Sequence, residues 1–199
     1  MHRMKIDRGS LGWLALIWLA LAAPGAAQNP NPSVFGFRGE VLTETASQGD
    51  KLARLAEAIP ADKYTWRPAP GVRSIAEVFL HISFANYNLP KLIGVSVPAG
   101  IDLAKLEKST TDKAKIIPIL KESFAHLQQG LKDMPETDLE KPLDLFGQKT
   151  TERGLLLIMT RHISEHLGQS IAYARINGVV PPWTEDQQRQ RQAPAKPKQ

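Results

Sequence analysis

Four stretches of this chain repeat their apolar residues at intervals of three and four, the spacing that turns one face of a helix into a core. In the first, Leu42, Thr45, Leu52, Leu55, Ala56 and Ile59 share a face, which predicts a helix from near Gly39 to Ile59, stopped by Pro60. Gly49 in its interior costs about 1 kcal/mol against alanine. The second opens on Ser74-Ile75-Ala76-Glu77, a capping box, and runs to about Ile93 with Val78, His81 or Ile82, Ala85 and Leu89 inward. The third carries Ile117, Leu120, Phe124, Leu127 and Leu131 as a seam. It starts near Thr110 or Thr111 with Asp112 in its first turn, or at Pro118 as the first helical residue. The fourth spans about Thr151 to Asn177, is closed by Gly178, and turns Leu155, Met159, His162, His166, Gln169 or Ser170, and Tyr173 inward. The pattern predicts an all-α fold, a four-helix bundle.

The connections change this picture in two places. Tyr64-Thr65-Trp66-Arg67-Pro68-Ala69-Pro70-Gly71 cannot be regular helix and reads as a rigid turn carrying a large aromatic. Pro135 to Glu152 is long for a bundle connection. A crossover before the last helix, linking two parallel helices, accounts for it, and Leu143-Asp144-Leu145-Phe146 reads as a short extended piece packed across the bundle. Outside the helices, residues 1–27 have the order of a signal peptide: a basic start, the apolar run Leu11 to Ala22, then Gly25 and Ala27 at −3 and −1 of a cleavage site. The run is short for a membrane span, so stable membrane insertion after cleavage is not expected. Residues 28–37 read as a linker, 38–183 as the helical domain, and 184–199 as a disordered tail of Gln, Arg, Lys, Ala and Pro.

Composition narrows the chemistry. The chain is 199 residues long, 42% hydrophobic and 23% charged, as an ordinary globular protein is. With no cysteine, disulfides, thiolate metal ligands and a cysteine nucleophile are excluded. The net charge is +5, but four of those charges fall in the two terminal segments, and no basic stripe with interleaved aromatics lies between them. Nucleic acid is therefore not an expected partner.

His162 and His166 are one turn apart on one helix face, as two neighbouring ligands of one ion would be. A bare pair of this kind is more often two ordinary histidines on a partly buried helix. Helical phase adds a third: His81 falls toward the inward side of the second helix, whereas His126 falls outward on the third. Three inward imidazoles need partners, and a divalent ion with an open position for water or substrate would satisfy all three. Gln169, one turn beyond His166, either bonds a ligand at the open position, orients an imidazole, or is a polar residue near the bundle end. Glu165 reads as a solvated charge. His162-Ile163-Ser164-Glu165-His166 also fits H-x-x-E-H, an inverted zinc-peptidase pattern. That reading needs a glutamate ligand far downstream, and Glu185 is the only glutamate after His166.

Trp66-Arg67-Pro68-Ala69-Pro70-Gly71 ahead of a capped helix bearing His81, then His162-x3-His166-x2-Gln169, Asn177-Gly178 and Pro181-Pro182, resemble the DinB-like (YfiT-like) superfamily over roughly residues 38–183. The resemblance implies a four-helix bundle with His81, His162 and His166 as a three-histidine metal site. It also implies metalloenzyme relatives, some of which transfer low-molecular-weight thiols or isomerise thiol adducts, and frequent homodimers. The combined expectation is a periplasmic or secreted metal-dependent hydrolase or transferase acting on a small molecule. Its ion would be zinc or nickel, and Trp66, Asn86 and Tyr87 would line its pocket. Hydrolysis is the default reaction, water being the nucleophile at hand outside the cell. The alternative is a non-catalytic metal- or ligand-binding bundle in envelope stress.

Overall fold

The structure is a computed structural model and describes residues 36–192. The signal peptide, most of the linker and residues 193–199 lie outside the described residues. The elements are α1 (Phe37–Ala58), α2 (Ile75–Asn88), α3 (Lys113–Asp133), β1 (Pro142–Leu145), β2 (Gln148–Thr151), α4 (Glu152–Ile176) and α5 (Pro182–Gln192). None of the described helices is long and apolar enough to cross a membrane.

The helix starts follow their local chemistry. Ser74 accepts from the Glu77 amide while the Glu77 carboxylate accepts from the Ser74 amide, the reciprocal capping box expected for α2. Asp112 caps α3 rather than sitting in its first turn, and Pro118 lies inside that helix, not at its start. Thr151 caps α4, and Gly178 follows its end with φ 78°.

Side chains that reach between elements fix the directions of the helices. Lys113, at the start of α3, donates to the Glu57 and Ile59 carbonyls at the end of α1, at 2.6 and 2.7 Å. Arg38, at the start of α1, donates to the Lys132 and Met134 carbonyls at the end of α3. Each cation therefore meets the negative end of the other helix, and α1 and α3 are antiparallel. The Arg153 guanidinium lies 4.9 Å from the Phe37 ring centre, and Gln48 donates to Ser164 at 2.7 Å, so α4 runs parallel to α1. Asn86 donates to Ser123, the Tyr87 ring lies 5.1 Å from His126, and Val95 abuts Gly130, so α2 and α3 are parallel.

These directions move the crossover. α3 ends and α4 begins at the same end of the molecule, beside Phe37 and Arg38. The connection between them is taken up by the antiparallel β1–β2 hairpin, with Leu143 opposite Thr150 and Leu145 opposite Gln148. Its turn is Phe146-Gly147, both at positive φ. The long crossover expected before the last helix instead joins α2 to α3, where the chain must travel back along the molecule between Gly94 and Asp112.

α1 packs against α3 and α4, and α2 packs against the same two, closing a ring around one core. Leu52, Leu55, Ala56, Phe79, Leu80, Ile82, Ile116, Leu120, Leu127, Leu155 and Leu156 are fully buried there. Each large side chain among them contributes about 1.5–3 kcal/mol. The tail also departs from expectation: residues 182–192 form a fifth helix, lying on α1 with Asp186 accepting from Arg54. Its sequence carries almost no apolar residue beyond Trp183, so periodicity gave no sign of it.

Candidate metal centre

α2 is buried on nearly every side. Only Glu77, His81, Phe84 and Asn88, at intervals of four, three and four, form a partly open stripe. On α4 the buried seam runs through Met159, Ile163, Leu167, Ser170 and Tyr173. His162 and His166 flank that seam half-buried instead of occupying its centre. The reason is that α4 packs on both α1 and α2, which shifts its buried arc by one residue. The three histidines therefore meet at the rim of the core, along the α2–α4 groove.

Their rings are 4.5–5.0 Å apart centre to centre. One ligand atom from each can be chosen so that all lie within 4.8 Å of one another. Among the described residues this is the only group of three or more His, Cys, Asp or Glu side chains so arranged. His81 Nε2 and His162 Nε2 are 3.0 Å apart. Nitrogens bound to one ion at about 2.0–2.1 Å stand roughly 3–3.4 Å from each other, so this separation fits a shared ion.

The outer hydrogen bonds set the tautomers. His81 Nδ1 lies 2.5 Å from Glu107 Oε1, and His166 Nδ1 lies 2.8 Å from Gln169 Oε1. A carboxylate and an amide oxygen only accept, so both Nδ1 atoms carry the hydrogen and both Nε2 atoms keep their lone pairs. The Gln169 amide nitrogen donates to the Tyr173 hydroxyl at 3.0 Å while its oxygen faces His166. Glu107 is held in turn by Arg73, whose Nε and Nη2 both lie 3.2 Å from Oε2. Burial alone would raise the Glu107 carboxyl, but the His81 bond and the charges of His81 and Arg73 outweigh it and leave it below the usual range.

His162 is the least satisfied member. Its Nδ1 is buried with no hydrogen-bond partner, and its Nε2 faces the lone pair of His81. Burial, then the neighbouring His166 and His81, push its pKa down to about 4. Burial also lowers His166, against the pull of Gln169. Burial thus favours the neutral form of His162 and His166, and together with His81 they form a group that can hold a divalent cation.

The other site expectations fare unevenly. Trp66 packs edge-on against Tyr173, 5.2 Å between ring centres, and joins the site through the Tyr173–Gln169–His166 chain. Asn86 and Tyr87 are not near the histidines. Five and six residues beyond His81 they are turned about 140° and 240° around α2, so both face α3 and are buried at 3% and 2% exposure. His126 is not outward either: it is half-buried against Tyr87, its Nε2 unpartnered, on the far side of α2 from the site. Glu165 pairs with Arg161 on the exposed side of α4. Glu107 and Arg73 had no periodic signal to mark them, because Glu107 comes from the α2–α3 crossover.

The sequence profile of the DinB superfamily matches residues 44–170, a span that contains all three histidines. The chain belongs to the DinB superfamily. It is 28% identical over 151 residues to the uncharacterized protein YjoA of Bacillus subtilis strain 168, across 70% of this chain and 90% of that protein. The crystal structure of the B. subtilis YjoA protein, a DinB-like protein, superposes with a TM-score of 0.58 at 24% identity over 71% of this chain and 93% of that one. A DinB-like protein from Bacillus cereus ATCC 10987 does so with a TM-score of 0.63 at 17% identity over 71% and 93%. These two structures share the fold.

Proposed function

We propose that this DinB superfamily protein is a metal-dependent enzyme, a hydrolase or transferase of a small molecule, whose divalent ion is held by His81, His162 and His166. The observation that carries the reading is the tautomer set: Glu107 and Gln169 each fix a hydrogen on Nδ1, which leaves Nε2 of His81 and His166 as donors beside His162. Neutral nitrogen donors without thiolates suit zinc or nickel. When bound, such an ion supplies Lewis-acid chemistry to a water or a substrate oxygen. Glu107 and Gln169 hold the two imidazoles at fixed orientation, and Arg73 holds Glu107. Three protein ligands leave room for an exchangeable fourth, as catalytic sites require. An exported location belongs to the same reading and is supported by the sequence of residues 1–27.

The test is elemental analysis of the purified protein beside His81→Ala, His162→Ala and His126→Ala. The expected result is stoichiometric metal in the parent and in His126→Ala, and loss from the other two. Parent protein that takes up no stoichiometric metal after reconstitution would refute the site.

A further inference from the structure

Beside the histidines a cavity of about 700 Å³ opens between the Trp66–Arg73 turn and the α2–α3 crossover. Glu107 and Gln169 are in its wall, so the two residues that hold His81 and His166 also border this space. Its charged lining is Arg67, Arg73 and Lys108 against Glu77 and Glu107, three cations to two carboxylates. The carboxylates are already engaged. Glu77 accepts from the Ser74 amide and pairs with Arg67 at 3.2 Å, while Glu107 serves His81 and Arg73. Arg67 spends a second donor on the Val72 carbonyl, and its side chain is still 41% exposed. The Lys108 ammonium has no ion-pair or hydrogen-bond partner among the described residues, and the side chain is exposed. The lining therefore offers spare N–H donors and an uncompensated positive charge.

We propose that this cavity binds an anionic group of the substrate, a carboxylate or a phosphate, on Lys108 and Arg67, next to the three-histidine site. The inference rests on the metal-centre reading for what the bound molecule then meets, but the cavity itself is built from other residues. Arg67 presents a planar pair of donors suited to two oxygens, and Lys108 supplies a point charge from the opposite wall. Arg73 stays on Glu107 and acts as a positioning residue rather than an anion ligand. A molecule anchored this way has its remaining atoms beside Glu107 and Gln169, the partners of His81 and His166. A neutral substrate of the same shape would leave the Lys108 charge unanswered.

The experiment is a titration of inorganic phosphate and, separately, acetate into the isotopically labelled protein, once metal-free and once zinc-loaded, at low ionic strength. Saturable shifts of the Gly71, Val72 and Lys108 amides are expected in both forms. Lys108→Gln and Arg67→Gln should each weaken binding tenfold or more, and Lys105→Gln, on the same crossover but outside the cavity, should leave it unchanged. The tighter of the two probes identifies the anionic group. Absence of saturable shifts at those amides, or unaltered affinity in Lys108→Gln, would overturn the proposal. Lys108 is exposed and structurally unburdened, so that variant carries the test if Arg67→Gln disturbs the α2 cap. Anion binding by protein that can be loaded with neither zinc nor nickel would keep the cavity's assignment and sink the metal reading instead.

Discussion

Replacing Glu107 by alanine should weaken metal binding without touching a metal ligand. In the folded protein its carboxylate accepts from His81 Nδ1 at 2.5 Å and is locked from behind by Arg73. The contact is charge-assisted, with the Glu107 side chain only 30% exposed, so solvent replaces it poorly. Two effects are lost together in Glu107→Ala: the hydrogen bond that keeps the His81 lone pair on Nε2, and a negative charge one imidazole away from the ion. Outer partners of metal-bound histidines are worth about 10–100-fold in affinity, or roughly 1.4–2.7 kcal/mol. Both losses act here, so the expected change lies toward the upper end. Glu107→Gln keeps an acceptor but not the charge and should fall toward the lower end, about tenfold. Competition with a chromophoric chelator at pH 7 measures both, with circular dichroism to verify the helices. Affinity within twofold of the parent in Glu107→Ala, alongside loss of binding in His81→Ala, would show that the carboxylate does not orient the imidazole.

Two further outcomes follow from the described contacts. His162 has a folded-state pKa of about 4 against an ordinary value near 6.5. In metal-free protein the unfolded chain therefore binds more protons between those values, and stability present above about pH 6.5 is lost as the pH falls toward 4. Urea midpoints across that range should drop with acidification, and His162→Ala should flatten the slope; an unchanged slope would mean that His162 is not buried neutral. Gly49→Ala should destabilise the protein by about 1–3 kcal/mol despite alanine's better helix propensity, because the new methyl carbon would sit 2.8 Å from Phe124 Cδ1 and 3.0 Å from its Cγ. A raised thermal midpoint would refute that packing argument.

The parts of the molecule that were legible in the sequence share one property: a local pattern, either a periodic apolar face or a capping motif. Leu42, Thr45, Leu52, Leu55 and Ala56 do line the buried face of α1, and the Ser74–Glu77 box does open α2. Gly49, which looks like a defect in the helix, is a site of close approach, and a periodicity argument cannot see its partner. Pro118 sits on the exposed side of α3, where the missing amide costs a hydrogen bond but no packing, so it neither starts nor ends the helix. Connection length alone does not locate the crossover, because a hairpin can consume the same number of residues and return to its starting end. Phase also turns His126 outward, since it sees one helix at a time and not the α2 surface that Tyr87 lays over it. Glu107 was out of reach for the same reason: its position is set by where the crossover runs, and no local pattern encodes that.

The three histidines come from two helices that are remote in the chain, His81 being 81 positions from His162. An ion shared between them is, mechanically, a removable cross-link closing a very long loop. Like any tie of that length it restricts the unfolded chain as well as holding the folded one. At a free concentration a hundredfold above its dissociation constant it would add about 2.7 kcal/mol to the stability of the fold. The same tie would draw in the crossover through Glu107, so that removing the ion would loosen α2, α4 and the strand of chain that walls the neighbouring cavity together. On the proposed metal-centre reading, metal supply and resistance to proteolysis would be one variable for this protein rather than two.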